Sequence, residues 1–365
     1  MADPTPSQTS VDSSVIRNLP IKQRIDWLID HARRHSVLFQ SPDSFLARRL
    51  YTTQHQTAVI ALKCMDGRLN LPVATNTPAG IIRPFRNLGG RFDVGWPHFG
   101  EVLAGDVTDI VGQGRRVLVL ITYHYSKGDR HRGCAGFNYD TEAARNHTFE
   151  IKKQVEAVFG IGHSTVYPLV CGFETDDDAI VLHGSNKGDV LDLSTVSSTD
   201  IESLPALLAK LYPDMPNQIR QDLLPLVQGN IDHIAGVRHS NRTLDIVHHE
   251  WMIGIGRGFD WLHTPNLALI IGPFSPELAD PISKAAGIIE ANMQSKRIPD
   301  DGFLMLAVAP YHEIGVDRAR AIVKSSFMAD FAADIIRTDF PPLAEKMHVR
   351  SAVIAWQSRA MEVIR

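Results

Sequence analysis

The sequence has few cysteines and no long apolar segment. Only three cysteines occur in 365 residues, too few for a disulfide framework, so we expect a reducing compartment. No apolar stretch approaches the roughly 20 residues that span a bilayer, and the first residues lack the basic start and apolar centre of a secretory leader. We therefore expect a cytoplasmic protein without a membrane partner.

The sequence also lacks an excess of either charge. Its 37 Lys and Arg residues face 41 Asp and Glu residues, for a formal net charge of -4. A nucleic-acid-binding surface needs a basic excess, so we expect no nucleic-acid partner. The hydrophobic fraction of 44% and the charged fraction of 21% are ordinary for a globular protein, and the length suffices for two domains.

The chain divides into four parts by composition and pattern. Residues 1–18 are rich in Ser, Thr and Pro and predict a disordered tail. Residues 19–55 carry helical spacing and predict a small helical region. Residues 56–250 predict an α/β domain with the candidate chemistry, and residues 251–365 predict a second, related domain.

Short aliphatic runs predict the strands of the first domain. Runs at 57–62, 117–122 and 165–170 are typical of buried parallel strands. Asp140 is a candidate N-cap for a helix over 141–159. The segment 85–90, Phe-Arg-Asn-Leu-Gly-Gly, has the composition of a turn.

Residues 200–235 predict short helical pieces. Prolines interrupt this stretch because proline lacks the N–H that a helix interior needs. They are Pro205, Pro213, Pro216 and Pro225.

The last third resembles the first domain strand by strand. Leu267–Pro273 reads like the strand at 57–62, Phe303–Ala309 like the strand at 117–122, and Arg350–Ala355 like the strand at 165–170. We predict a degenerate repeat that has lost its metal ligands, with Gly272 or Pro273 in the place of Cys64.

Three potential metal ligands follow strand ends in the first domain. Cys64 ends the first strand, His124 follows the second, and Cys134 lies in the next glycine-rich loop. Parallel strands bring their carboxyl ends to one edge of a sheet. Two thiolates and one imidazole leave a tetrahedral zinc ion one open position, as in catalytic sites. His131, in His131-Arg-Gly-Cys134, is an alternative ligand to His124.

Asp66 and Arg68 stand directly beside the first candidate ligand. A guanidinium can hold a carboxylate through two parallel hydrogen bonds and keep it ionised. Such a carboxylate can orient a zinc-bound hydroxide towards a substrate. The other interpretation is a surface salt bridge that caps the strand.

These residues resemble the zinc site of the β-class carbonic anhydrases. The motif Cys64-x-Asp66-x-Arg68 precedes a strand-end histidine and a second cysteine, and Arg86-Asn-Leu-Gly89 resembles that class's Arg-Asn-Ala-Gly segment. The longer gap from His124 to Cys134 and the segment from Asp245 to Glu250 resemble a divergent branch, the carboxysomal shell carbonic anhydrases.

The resemblance implies a fold, a site and a reaction. The fold would be an α/β β-carbonic-anhydrase-like sheet with flanking helices, followed by a degenerate second copy and preceded by a short helical region. Cys64, His124 and Cys134 would bind one zinc ion per chain, Asp66 and Arg68 would form a catalytic dyad, and His248 would line the pocket. The reaction would be reversible hydration of carbon dioxide to bicarbonate and a proton.

The resemblance also gives expectations for assembly and location. We expect a homodimer or higher homo-oligomer. The chain is short at its N-terminus compared with the shell enzymes, so we expect a free cytoplasmic protein, with the carboxysome and its components as the alternative.

Two other functions use the same residues. One is a non-catalytic scaffold that zinc stabilises, and the other is a zinc hydrolase of another small heterocumulene, CS2 or COS.

In the hydration of carbon dioxide, His248 or His249 would serve as the base that exports protons. Because two thiolates weaken zinc as a Lewis acid, we expect kcat/KM to rise from neutral to alkaline pH.

Overall fold

The computed structural model describes residues 13–160, 164–185, 188–240, 247–262 and 266–365. Of the predicted tail at 1–18, residues 1–12 lie outside these ranges and Ser13–Arg17 form a helix. The helices are α1 (Ser13–Arg17), α2 (Ile21–Gln40), α3 (Pro42–Gln54), α4 (Leu71–Ala74), α5 (Pro97–Gly112), α6 (Thr141–Phe159), α7 (Leu204–Leu211), α8 (Asn217–His239), α9 (Ala279–Gln294), α10 (Val316–Asp339) and α11 (Pro341–Ala344).

The strands fall into two sheets, which define a first and a second unit. The strands of the first unit are β1 (Ala58–Cys64), β2 (Ile82–Asn87), β3 (Val117–Tyr125), β4 (Val166–Glu174), β5 (Ala179–His183) and β6 (Val190–Asp192). Those of the second unit are β7 (Met252–Gly256), β8 (Ala268–Ile271), β9 (Phe303–Tyr311), β10 (Met347–Ala355) and β11 (Met361–Val363).

The first sheet places β1 between two parallel neighbours. Its order is β2-β1-β3-β4-β5-β6, and β1 pairs in parallel with both β2 and β3. All seven residues of β1 are buried, as expected of a strand covered on both faces. The carboxyl ends of β1 and β3 therefore lie side by side at one edge of the sheet.

The segment predicted as a turn at 85–90 is wrong in its first half. Residues 82–87 form β2, and Asn87 pairs with Cys64 at the end of β1. Pro84 and two arginines hide the strand pattern, and pairing with β1 overrides the low intrinsic strand preference. Only residues 88–90 turn, and Gly90 has a φ of +65°, a conformation that glycine adopts without strain.

The second sheet repeats the topology of the first. Its order β11-β10-β9-β7-β8 matches β5-β4-β3-β1-β2. The pairings are parallel between β7 and β8, β7 and β9, and β9 and β10, and antiparallel between β10 and β11. The corresponding pairs of the first sheet have the same senses. The predicted second copy of the same α/β unit is thus confirmed.

The predicted counterpart of β1 in the second copy is wrong. The topology places β7, not the Leu267–Pro273 run, in the position of β1, and β8 takes the position of β2. The end of β7 at Gly256 therefore corresponds to Cys64, rather than Gly272 or Pro273. The sequence Met-Ile-Gly-Ile-Gly of β7 is short and glycine-rich, so its apolar signal is weaker than that of β8.

The two units meet where β8 runs beside the end of β1. Ile270 donates its backbone N–H to the carbonyl of Met65 (2.9 Å), and Gly272 donates to the carbonyl of Arg86 (2.8 Å). Gly67 allows this approach, because a Cβ there would lie 2.5 Å from the carbonyl oxygen of Ala268. The candidate ligand strand of the first unit is therefore fixed directly against the second unit.

Helix α2 packs on the second unit. Ile25 and Leu28 of α2 belong to the same buried cluster as the strands β7 and β9. Arg24 is fully buried and forms an ion pair with Asp301 and a hydrogen bond to the carbonyl of Gly302 (3.2 Å). Helix α2 therefore covers the second sheet, although it precedes the first sheet in sequence.

Two helix predictions have different outcomes. Asp140 caps α6 by accepting a hydrogen bond from the N–H of Ala143 (3.0 Å), as predicted. Pro225 lies inside α8, which runs unbroken from Asn217 to His239, so the predicted break there is wrong. Proline removes one helical hydrogen bond, but buried neighbours such as Leu223 and Leu226 hold the helix on the core. None of the helices in the described ranges is long and apolar enough to cross a bilayer.

Candidate metal site and catalytic centre

Cys64, His124 and Cys134 lie together at the edge of the first sheet. Their ligand atoms are all within 4.8 Å of one another, and all three residues are buried. Both ring nitrogens of His124 are buried without a hydrogen-bond partner. An imidazole with no partner in the protein interior is costly, and a metal ion beside the two thiols would satisfy it. The donor set therefore fits a cation such as zinc.

The alternative histidine does not join this cluster. His131 is exposed in a 3-10 turn, and its ring packs against Tyr139 at 5.4 Å between centroids. The structure thus brings His124, and not His131, beside the two cysteines. The reason is geometric, since His124 extends from a buried strand that is parallel to the strand of Cys64.

Two turns hold the loop that carries Cys134. Arg68 donates to the carbonyl of Arg132 (2.7 Å), just before the cysteine. Gly136 packs against Gly89 so closely that a Cβ on Gly136 would lie 2.6 Å from the Cα of Gly89. The turn after β2 therefore supports the second cysteine as well as the end of β1.

The thiols of Cys64 and Cys134 share a hydrogen bond, which shifts their pKa values in opposite directions. This bond, followed by burial, raises the pKa of Cys64 well above its ordinary value. The same bond lowers the pKa of Cys134, and the backbone N–H groups of Gly136 and Phe137 add to that effect. Backbone donors directed at Cys134 thus favour its thiolate form, the form that binds metals.

Asp66 and Arg68 form a buried pair beside the cluster. Arg68 donates to Asp66 Oδ1 from its backbone N–H (2.8 Å) and Nε (3.0 Å), and to Oδ2 from Nη2 (2.6 Å). Burial alone would raise the pKa of Asp66, but the Arg68 guanidinium holds it well below its usual range. Asp66 Oδ2 lies 3.9 Å from Nε2 of His124. The pair is therefore buried within the site and is not a surface salt bridge.

Two buried basic side chains support the turn that presents Asp66. Lys63 donates from Nζ to the carbonyl of Leu69 (2.7 Å), and Arg86 donates to the carbonyl of Asp66 (3.2 Å). Burial lowers the pKa of Arg86 to about 10. Neither support is predicted from the sequence. In the sequence, the sign of this support is that Lys63 stands inside an otherwise apolar strand.

His248 reaches this site from the segment that leads into β7 of the second unit. Arg68 Nη2 lies 2.9 Å from Nε2 of His248. A guanidinium can only donate, so Nε2 accepts and shares the two Nη2 hydrogens with Asp66 Oδ2 and the carbonyl of Arg132. The proton of the neutral ring then sits on Nδ1, which donates to Glu250 (3.0 and 3.1 Å). Glu250 is fully buried and receives a further hydrogen bond at its carbonyl from Asn292 Nδ2 (3.1 Å). The sequence alone predicts no role for Glu250.

Of the two adjacent histidines, His248 is the one that reaches the site. Its Nε2 lies 3.8 Å from Asp66 Oδ2. His249 instead uses Nδ1 in a contact of 2.9 Å with the carbonyl oxygen of Val247. The segment that leads into the second unit thus completes the pocket of the first unit.

The fold and the site together define a β-carbonic-anhydrase-like protein of two units. Residues 50–204 match the family described as Carboxysome Shell Carbonic Anhydrase, catalytic domain. Over this range the chain is similar to the carboxysome shell carbonic anhydrases, and the resemblance noted in the sequence is confirmed.

Two curated relatives show the extent of this similarity. The carboxysome shell carbonic anhydrase of Hydrogenovibrio crunogenus is 30% identical over 258 residues, covering 61% of this chain and 48% of that protein. That of Prochlorococcus marinus subsp. pastoris is 28% identical over 234 residues, covering 56% of this chain and 46% of that protein. The chain thus spans less than half the length of either relative.

Proposed function

We propose that this protein catalyses the reversible hydration of carbon dioxide to bicarbonate and a proton with one zinc ion per chain. The observation that carries the proposal is the buried Cys64–His124–Cys134 cluster with an ionised carboxylate, Asp66, beside it. The names of the relatives support the same reaction.

Cys64, His124 and Cys134 would hold the zinc ion. The partnerless ring of His124 and the donors around Cys134 support this assignment. When bound, zinc supplies Lewis acidity that lowers the pKa of a coordinated water towards neutrality.

Asp66 would orient the attacking water as a hydrogen-bond acceptor. Its low pKa keeps it ionised at neutral pH, so it can accept a hydrogen bond but cannot donate one. Arg68 occupies both carboxylate oxygens from one side and leaves Oδ2 facing the ligand cluster. An acceptor fixed in this way would hold a water lone pair towards the carbon of CO2.

His248 would position Arg68. Its Nε2 lone pair accepts from Arg68 in this arrangement, so it can take up a proton only after that bond breaks. Glu250 fixes the ring from the other side. We therefore assign His248 and Glu250 to the support of the Asp66–Arg68 pair, and this support comes from the segment that leads into β7.

The protein has two candidate locations in the cell. We infer a cytoplasmic protein that acts on CO2 and bicarbonate, with the carboxysome as the competing site because the relatives are named for its shell. Fractionation of the host cell decides between them, since co-sedimentation with carboxysomes would overturn the free cytoplasmic assignment.

A pair of histidine variants tests the proposed function. His124→Ala is expected to lose both bound zinc and CO2 hydration in stopped-flow assays, whereas His131→Ala retains both because its side chain is exposed and outside the cluster. Zinc-loaded wild type that fails to hydrate CO2 would favour the zinc-stabilised scaffold. Faster turnover of CS2 or COS than of CO2 would favour the hydrolase.

A further inference from the structure

A short acidic turn lies beside the loop that carries Cys134. The acidic turn, residues 174–178, ends β4 and leads into β5. The cysteine loop, residues 126–134, follows the end of β3. Strands β3 and β4 are parallel neighbours in which Tyr125 pairs with Glu174. The turn and the loop therefore leave the sheet side by side.

Glu174 ties the start of the cysteine loop to the acidic turn. Its side chain is buried, and its carboxylate accepts three backbone hydrogen bonds. Two come from the turn itself, from the N–H groups of Asp176 (3.1 Å) and Asp177 (3.0 Å). The third comes from the N–H of Lys127 in the loop (3.0 Å). One buried carboxylate thus joins the two segments.

Asp176 holds the next part of the cysteine loop. Its carboxylate accepts from the Ser126 hydroxyl (2.8 and 2.9 Å) and from the N–H of Gly128 (2.7 Å). The Ser126 hydroxyl in turn accepts from the N–H of Asp129 (3.0 Å). The approach is close, because a Cβ on Gly128 would lie 3.0 Å from Oδ2 of Asp176. These contacts fix the path of the loop backbone ahead of Cys134.

The other side of the acidic turn is anchored on α8. Asn230 of α8 is fully buried and donates from Nδ2 to the carbonyl of Asp178 (2.9 Å). Asp177 forms an ion pair with Arg238 of the same helix (2.9 Å). Adjacent aspartates therefore have different partners: Asp176 bonds to the cysteine loop, whereas Asp177 bonds to α8. The turn is a fixed support from which the loop is held.

The end of the cysteine loop contributes to the candidate site in two ways. Cys134 is one of the three clustered ligand residues. Two residues earlier, the carbonyl of Arg132 accepts a hydrogen bond from Nη2 of Arg68 (2.7 Å). This second contact is made by the loop backbone, so it depends on how the backbone is held. Small errors in the position of such supports are costly for a metal site.

We propose that Asp176 is a positioning residue, which sets the cysteine loop so that Cys134 reaches the other two ligands and the Arg132 carbonyl reaches Arg68. The inference rests on the proposed zinc site. It assigns the effect to hydrogen bonds with the loop and not to the charge of Asp176.

The contacts of Asp176 support this distinction between hydrogen bonding and charge. Its ion-pair partner in the described ranges is Arg132, at 3.5 Å, and both side chains are partly exposed. Such a pair contributes little. An asparagine would keep an oxygen that accepts from Gly128 and gain an NH2 group that donates to the Ser126 hydroxyl. Asparagine should therefore replace Asp176, and alanine should not.

Zinc affinity of the full chain tests the proposal without an assay of CO2. Competition with a chromogenic chelator should show that Asp176→Ala binds zinc about 10- to 100-fold more weakly than wild type, as for other supports of a metal ligand. Asp176→Asn should stay within about threefold of wild type. Asp177→Ala is the matched control from the same turn and should equal wild type, because the Asp177 side chain pairs with Arg238 on α8.

A milder variant keeps the test decisive if Asp176→Ala does not fold. Ser126→Ala removes only the hydroxyl between Asp176 and the N–H of Asp129. The loss of these hydrogen bonds should weaken zinc binding by about three- to tenfold.

The outcomes separate this proposal from the proposed reaction. Wild-type zinc affinity in both Asp176→Ala and Ser126→Ala would overturn the positioning role and leave the reaction intact. Asp176→Asn as weak as Asp176→Ala would also overturn it, because the charge would then be responsible. Zinc-loaded wild type that does not hydrate CO2, with the variants still ranked as expected in zinc affinity, would overturn the reaction and support the positioning role.

Discussion

Replacing Asp66 by Asn removes the charge of the carboxylate while keeping its shape. In the variant, the amide NH2 would face a donor of Arg68 at one of the two positions where oxygens now accept. Arg68 would remain buried without its counter-ion. Breaking one partner of a buried ion pair costs about 3–5 kcal/mol of folding stability.

Catalysis should fall further than stability alone explains. A positioned acid–base group contributes about 100- to 10,000-fold, so kcat/KM for CO2 should drop within that range. Zinc content should stay near one per chain, because Asp66 is not among the three clustered ligand residues. The low folded pKa of Asp66 means that its stabilisation is complete above an unfolded pKa of about 3.9 and is lost only at lower pH. Assays near neutral pH therefore measure its full effect.

A double variant separates the two roles of the pair. Asp66→Asn with Arg68→Gln removes both buried charges, so urea denaturation should show much of the lost stability recovered. Hydration of CO2, followed by stopped flow, should stay as low as in Asp66→Asn alone. Hydration within threefold of wild type in the single variant would refute the assigned role of Asp66.

Three further outcomes follow from other parts of the structure. Glu250→Gln should lower kcat/KM by about tenfold without loss of zinc, as for other supporting partners of a site; unchanged kinetics would remove Glu250 from the site. Burial, followed by Arg145, lowers the pKa of His183 to about 4. The unfolded chain therefore takes up that proton first, and wild type should lose about 2 kcal/mol from this group between pH 7.5 and pH 5. Urea titrations of His183→Gln should lack this part of the pH dependence. Gly67→Ala should lower the free energy of unfolding by about 1–3 kcal/mol, because its methyl group would meet the backbone of Ala268. Gly105 lies in a helix with open space around it, so Gly105→Ala should raise the free energy of unfolding by about 0.5–1 kcal/mol.

Strand-end reasoning predicted which side chains come together in the first unit. Cys64 and His124 end or nearly end two parallel neighbours, so their proximity follows from topology once both runs are recognised as strands. His131 could not be separated from His124 by spacing alone. The separation depends on the 3-10 turn that leaves His131 exposed.

Other features depend on contacts that a single sequence does not reveal. Strand β2 forms because it pairs with β1, although Pro84 weakens its own preference. Strand β7 is too short and too rich in glycine for its pattern to identify it as the counterpart of β1. The role of Glu250 arises only when the second unit packs against the first, far from Arg68 along the chain. Tertiary packing, rather than local preference, decides all three.

The central claim is that the Cys64–His124–Cys134 cluster binds one catalytic zinc ion. The most direct measurement is stopped-flow CO2 hydration of the full chain at about pH 8, before chelation, after chelation and after return of one zinc per chain. The account predicts fast hydration, its loss with the zinc ion and its recovery at a single equivalent. Equal hydration by the zinc-free chain, or no hydration by the zinc-loaded chain, would contradict it.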